Sequence, residues 1–252
     1  MKWGTYFRGR ISPMVRGLTD LEAIEIDKMT PPYLPGDPMD LLQEGAAALG
    51  LELPSATLGQ FRFYLTQLKL WNARVNLTGL KSDRDMVVKH FLDSLAVLPF
   101  LADYRSLADL GSGPGFPGLA LKLVRPELQL TLVEARQKKA AFLEYLVSCL
   151  KLPGVQMART HLTPAQAREW GPRFQAVVSR ATFPLGRFLE LAAPLLLPEG
   201  LALALKGPHL AGGELEAAAA AGRLLGLGPL ELKPYRLPLS GEPRLAVSSR
   251  QP

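Results

Sequence analysis

From residue 105 onward, short apolar runs and helical segments take turns, and this alternation leaves few folds open. Apolar runs predict strands near 106–110, 130–134, 155–159, 174–179 and 200–206. Between them, apolar positions at three- and four-residue spacing predict helices near 117–124, 137–150, 163–169, 185–196 and 212–224. Such a rhythm builds a parallel sheet with helices on both faces, since parallel neighbours need a crossover between them. The closing stretch LELKPYRLPLSGEPRLAVSS reads instead as two strands about a Ser-Gly turn, an antiparallel hairpin ending the sheet.

The first part of the chain reads differently. Residues 29–38, MTPPYLPGDP, are too proline-rich for helix or central strand. They set off an extension over 1–38, expected to be partly disordered, and Met39 is a candidate natural start. A helical part follows over 39–104, with Leu58, Phe61, Leu65, Leu68 and Trp71 in one apolar stripe. Ser82 with Asp85 three residues later marks a further helix, running to Pro99. The sheet-forming domain takes 105–252.

Composition removes several classes of function. No apolar run reaches the roughly 18 residues of a membrane helix, and the N-terminus lacks a signal-peptide core, so a cytoplasmic protein without a membrane partner is expected. Cys149 is the only cysteine, in an apolar helical pattern with nothing electropositive to activate it. The three histidines lie at no ligand spacing, so no metal is expected. The net charge of +6 suits a polyanionic partner without requiring one.

Chemistry concentrates where the first strand meets its helix. There LADLGSGPGFPG places Gly111, Gly113, Gly115 and Gly118 with Pro114 and Pro117. Glycines at such a turn let a ligand touch the backbone at the carboxyl end of the strands. Gly113, Gly115 and Gly118 fit the G-x-G-x-x-G spacing of dinucleotide-binding proteins, so an NAD(P)-dependent oxidoreductase is one reading. In a second register, Asp109 to Gly115 resembles the acidic-x-G-x-G-x-G pattern of S-adenosylmethionine-dependent methyltransferases. That resemblance implies Asp109 facing the methionine ammonium, directly or through water. Glu134, 23 positions after Gly111, suits ribose hydroxyls in either family. Asp109 and the antiparallel end favour S-adenosylmethionine, since a carboxylate beside a cation is favourable and beside pyrophosphate is not.

Longer stretches narrow the resemblance. NLTGL at 76–80, VVKHFLDSLAVLPFL at 87–101, GSGPGFPGLALKLVRPELQLTLVEARQKKAAFL at 111–143, VVSRA at 177–181 and LALKG at 203–207 come in order. Over about residues 40–247 the chain is similar to the bacterial glucose-inhibited division protein B family, which methylates guanine N7 in 16S ribosomal RNA. The resemblance implies an α/β fold: a Rossmann-like class I methyltransferase sheet, mostly parallel, plus a small N-terminal helical part. It implies S-adenosylmethionine as cofactor, and 16S ribosomal RNA or the small-subunit particle as partner; a monomer is expected, although the sequence itself does not fix the oligomeric state. Carried over by motif, Gly111 and Phe116 line the cofactor pocket with Gly113 and Gly115, and Glu134 takes the ribose. Arg180 stands at the active-site mouth, positioning substrate and touching the cofactor region.

The segment after the third strand is implied to hold the adenine. Members there place a small residue and then Glu; this chain has Thr160 and His161, which puts cofactor affinity in question. Asn76, His90, Asp93 and Ser94 belong to motifs of the helical part. They are read either as a hydrogen-bond network fastening that part to the sheet or, for Asn76, His90 and Ser94, as RNA contacts. Lys206 is expected to meet phosphate or solvent, and RQKK at 136–139 to be a solvated helix start. TPPY at 30–33 sits outside the fourth strand and is set aside as an amino-methyltransferase motif. Guanine N7 carries no proton, so methylation there needs no general base, and positioning can supply roughly 7–11 kcal/mol of the barrier. The rival to activity is a methyltransferase-like RNA-binding or ribosome-assembly protein without catalysis, a reading kept open by Thr160 and His161.

Overall fold

The computed structural model describes residues 36–101 and 103–252. The extension read over 1–38, with its TPPY segment, lies outside the described residues up to residue 35. Seven strands form one sheet: β1 (Ser106–Leu110), β2 (Gln129–Val133), β3 (Val155–Ala158), β4 (Phe174–Arg180), β5 (Leu196–Lys206), β6 (Glu231–Arg236) and β7 (Pro243–Arg250). Their order is β3-β2-β1-β4-β5-β7-β6. Strands β1 to β5 are parallel, while β7 pairs antiparallel with both β5 and β6. The expected hairpin is therefore present, with its second strand on the inside.

Strand order reverses at β1, whose neighbours are β2 and β4. The loops leaving β1 and β4 consequently diverge from adjacent strands, and a crevice opens between such loops at the carboxyl end of a sheet. The strands around this point read as continuous apolar runs because both faces are covered. On one face Leu107, Leu130, Leu132, Ala176, Val178 and Leu203 join a core shared with the helical part. On the other, Ala108, Leu110, Val133, Val177 and Ala204 pack with a second set of helices. The two sets alternate along each strand, as side chains on a pleated strand must.

The first face is covered by α1 (Pro38–Ala48), α2 (Ser55–Val75), α5 (Gly118–Val124) and α6 (Gln137–Cys149). The second is covered by α7 (Pro164–Trp170), α8 (Leu185–Ala192) and α9 (Glu214–Leu224). Between α2 and β1, α3 (Asp83–Met86) continues as a π-helical segment over Val87–Leu92 into α4 (Asp93–Leu95). Ser82 caps α3 as its spacing predicts: its hydroxyl oxygen accepts from Asp85 N at 3.0 Å. The reciprocal arm differs, because the Asp85 carboxylate takes the Ser82 hydroxyl rather than its backbone N–H.

The helix read over 185–196 stops early. It ends at Ala192, a 3₁₀ turn with Pro194 follows, and Leu196 already pairs with Phe174. Proline cannot sit in a helix interior, and here it converts the last turn into the entry of β5.

The apolar stripe of α2 is the seam between the helical part and the sheet. Phe61, Leu65, Leu68 and Trp71 are buried, and Leu58 packs partly buried against them. Trp71 packs on Phe142 of α6 with ring centroids 5.5 Å apart and planes tilted by 60°, and the Phe142 ring is fully buried. One core therefore serves both parts, and they should unfold together. Phe142→Ala should cost about 3–5 kcal/mol, the usual range for a buried aromatic. Urea unfolding followed by circular dichroism should then show a single transition at a lower midpoint. Two separated transitions would mean that the helical part folds on its own.

Candidate functional site

The loop leaving β1 turns back on itself at once. Gly111 N and Ser112 N both donate to Val133 O, at 2.8 and 3.1 Å, tying the turn to β2. Gly115 N and Phe116 N close on Ser112 O at 2.8 and 3.0 Å, and the Ser112 hydroxyl donates to Asp109 O at 2.9 Å. Gly111, Gly113 and Gly115 hold φ of 71°, 58° and 107°, values that side chains resist.

What a side chain would meet separates the glycines. At Gly113 it would enter open space, with only Gly111 O within 4 Å, at 3.9 Å. At Gly111 it would strike Thr182, at Gly115 the Tyr64 hydroxyl 2.3 Å away, and at Gly118 the Asp109 carboxylate 2.8 Å away. Gly113 thus presents the open backbone expected of a ligand cradle. Gly111 and Gly115, read as cofactor contacts, are glycines because protein groups press on them from behind.

Two carboxylates flank the cradle. Asp109, on β1, is completely buried. Its Oδ2 accepts from Gly118 N at 2.9 Å at the start of α5, while Oδ1 has no hydrogen-bond partner among the described residues. Burial raises its pKa to about 7, against the lowering pull of the Gly118 N–H and Arg180. Asp109, expected to face the methionine ammonium directly or through water, is sealed beneath the loop with one acceptor atom that has no partner among the described residues. Glu134, just past β2, accepts from Gly113 N at 2.8 Å through Oε2 and from Arg136 N at 2.7 Å through Oε1. Each oxygen keeps a lone pair, so the side chain can accept further hydroxyls while holding the loop.

Phe116 is a buried hub rather than an exposed wall of the site. Tyr64 stacks on it with centroids 5.2 Å apart and planes 4° apart, His90 at 4.5 Å and 16°, and the Arg180 guanidinium lies 5.1 Å from its centroid. Arg180 stands at the end of β4 as read from the sequence, but its head group faces the helical part. It donates to Lys89 O at 2.8 Å, to Asp93 Oδ2 at 3.2 Å and to His90 Nδ1 at 2.9 Å. An arginine has only donors, so Nδ1 accepts and the His90 proton sits on Nε2, facing Thr78 Oγ1 at 2.8 Å. Burial and then Arg180 lower the His90 pKa to about 3. Asp93 also accepts from the Tyr235 hydroxyl of β6 at 2.8 Å. Arg180, expected at the active-site mouth, is thus also a clasp between sheet, helical part and hairpin.

The remaining candidates divide. Ser94 is fully buried and its hydroxyl donates to His90 O at 2.6 Å, which of its two readings, hydrogen-bond network or RNA contact, favours the network. His90 has both ring nitrogens engaged and belongs to the same network. Asn76 is exposed and ends α2 in the left-handed conformation. Lys206, expected to meet phosphate or solvent, donates instead to Phe183 O and Glu214 Oε1, both at 2.8 Å. Thr160 and His161 follow β3 at the same end of the sheet, Thr160 half-buried and His161 exposed. The cations of RQKK lie at the start of α6, with Arg136 and Lys138 exposed and Lys139 half-buried. Burial raises the pKa of Cys149, the opposite of activation.

The sequence reading missed Tyr64, whose hydroxyl donates to Pro114 O at 2.6 Å, and Thr182, which donates to Gly111 O at 3.1 Å. Tyr64 was within reach, because it lies three residues from Phe61 in the same stripe. Nothing local marks Thr182. A groove of about 350 Å³ beside Tyr104, Lys233 and Arg250 lies at the amino end of the sheet, away from the cradle.

Comparison with known proteins agrees with this architecture. The family model described as rRNA small subunit methyltransferase G, GidB, matches residues 57–233. Proteins named ribosomal RNA small subunit methyltransferase G are similar in Geobacter sulfurreducens, at 39% identity over 82% of this chain and 94% of that one. The one in Myxococcus xanthus is 38% identical over 84% of this chain and 97% of that one. Among solved structures, a methyltransferase from Pyrococcus furiosus aligns with a TM-score of 0.50 and 13% identity over 76% of this chain and 97% of its own. A predicted O-methyltransferase from Agrobacterium tumefaciens gives 0.50 and 23%, over 64% and 79%. With a model matched across the seam and most of the sheet, and relatives near two-fifths identical along almost their whole length, this chain belongs to the GidB family of rRNA small subunit methyltransferase G proteins.

Proposed function

We propose that this chain transfers a methyl group from S-adenosylmethionine to N7 of a guanine in small-subunit ribosomal RNA. The observation that carries the reading is the cradle at Gly113, an open backbone between a carboxylate with one unpartnered oxygen and a second that grips the loop. These groups fit the cofactor's chemistry. Asp109 offers negative charge toward an ammonium, Glu134 offers acceptors to ribose hydroxyls, and the missing side chain at Gly113 gives room for close approach. Thr160 and His161 stand where the family motif puts its adenine contact. When bound, S-adenosylmethionine supplies a methyl group activated by a sulfonium.

The chain's own work is then to hold and orient. His90, with a pKa of about 3 and both nitrogens engaged, is no general base at neutral pH. That suits a target atom carrying a lone pair and no proton. The reading brings with it a cytoplasmic site of action and a monomeric chain needing no metal.

Methyl transfer should therefore be nearly flat from mildly acid to mildly alkaline pH under single-turnover conditions, with small-subunit particles or naked RNA and labelled cofactor saturating. Borohydride followed by aniline should cleave the product RNA at one guanine, because N7-methylation makes that ring labile. A rate rising tenfold per pH unit, with RNA resistant to cleavage, would remove N7 as the target.

Gly113→Ala adds a methyl group to the cradle and strains a left-handed backbone by about 1–2 kcal/mol. The melting temperature should drop slightly while affinity for S-adenosylhomocysteine falls at least tenfold. Wild-type affinity in the folded variant would put the ligand elsewhere.

Asp109 links binding to protons. Its folded pKa, about 7, lies above the ordinary 3.8, so its contribution to apo stability is complete below about 4 and is lost as pH rises through 7. The ammonium group that S-adenosylmethionine and S-adenosylhomocysteine share favours the ionised form when it lies nearby. Binding of S-adenosylhomocysteine at pH 6.5 should release protons, seen as a heat that depends on the buffer's ionisation enthalpy. Affinity should rise up to about pH 7.5, and Asp109→Asn should abolish both effects. Buffer-independent heats in the wild-type protein would contradict the pairing.

A further inference from the structure

We infer that Tyr64, on α2 of the helical part, is the positioning residue of the glycine loop and thereby sets cofactor affinity; the inference rests on the cofactor reading above. Its hydroxyl donates to Pro114 O at 2.6 Å, a carbonyl between the two glycines that turn the loop back. Its ring lies parallel to Phe116 at 5.2 Å, so one residue grips the loop at two points. Gly115 is shaped to it, for any side chain there would meet the hydroxyl at 2.3 Å. The tyrosine is itself immobile: fully buried, it packs at 5.3 Å on Phe91 and at 6.3 Å on Phe142. Burial also drives its pKa well above the ordinary value, so the group remains a donor at any working pH.

On that side His90, Phe91 and the Arg180 guanidinium also pack on the Phe116 ring, but the Pro114 carbonyl takes its side-chain hydrogen bond from Tyr64. Its internal bonds from Gly115 N and Phe116 N to Ser112 O fix its shape, and Gly113 N is anchored to Glu134 on the β2 side. Pro114 O is oriented by Tyr64 from a segment 50 residues upstream. A buried carbonyl that loses its donor moves until it finds another partner, and a shift at Pro114 carries Gly113 with it. The helical part in this way shapes the cofactor site through the loop that it holds.

Tyr64→Phe keeps the ring and its stacking and deletes only the hydroxyl. The dissociation constant of S-adenosylhomocysteine, measured by calorimetry, should rise roughly three- to tenfold, as loss of one buried hydrogen bond predicts. The cofactor KM should rise by a similar factor, with a smaller change in kcat and none in the KM for RNA. Hydrogen exchange of the unliganded protein should be faster at Gly113, Gly115 and Phe116 and unchanged in the central strands. Tyr64→Leu, which also removes the stack, should exceed Tyr64→Phe on each measure. A lowered melting temperature with wild-type affinity and wild-type loop exchange would overturn the inference and leave Tyr64 as packing alone. Absence of S-adenosylhomocysteine binding by the wild-type protein would overturn the cofactor reading and the inference with it, whereas binding that Tyr64→Phe leaves untouched sinks the inference only.

Discussion

The Arg180 guanidinium is the point at which three separately encoded parts of this protein are joined. It leaves the end of β4, meets Lys89 O, His90 and Asp93 in the π-helical and α4 segments, and through Asp93 reaches Tyr235 of the C-terminal hairpin. Asp93 is 4% exposed, so the ion pair is close to fully desolvated. A buried pair of this kind adds little net stability over apolar groups of the same shape, and Asp93 also keeps Tyr235 at 2.8 Å and Arg244 at 3.9 Å beside it. Its consequence is geometrical. The pair ties Lys89 and Asp93 of the helical part to the end of β4, beside the apolar core that the two share.

That junction brings the aromatic hub to the glycine loop. With the π segment fastened to β4, His90 lies against Phe116, and α2 delivers Tyr64 to Pro114. The π segment itself interrupts a regular helix where Lys89 and His90 turn toward Arg180, a place where such bulges are common. On the opposite side β2 supplies Glu134, and from β4 Thr182 bonds the Gly111 carbonyl. The cradle is thus held from three directions, and the backbone at Gly113 is left open between them.

Much of the fold was legible because it is written in local periodicity. The alternation after residue 104, the Ser-Gly hairpin, the α2 stripe and the Ser82 cap are patterns within ten or twenty residues, and the structure has each of them. The reading erred where an element boundary depended on a neighbour, as at Pro194, where pairing with β4 turns a predicted helix end into strand. Of the candidate site, Asp109, Gly113 and Glu134 stand together at the switch point as their spacing implied. Ser94, open between two readings, and Lys206, expected at phosphate or solvent, both bond to protein groups, since a polar residue in a sequence does not declare whether its partner is solvent, RNA or protein.

The sequence by itself determined where a loop of left-handed glycines must sit, that a carboxylate precedes it and that another follows the next strand. Backbone sterics decide the first, and the fixed length of a βαβ unit decides the others. Only the tertiary structure decided what each glycine is for, which acid is sealed and which is reachable, and that an arginine at a strand end faces inward. Those outcomes depend on groups 50 to 91 residues apart in the chain, Tyr64 with Pro114 and Lys89 with Arg180. No local pattern records such contacts, because the chain brings them together only when the two halves of the molecule share one core.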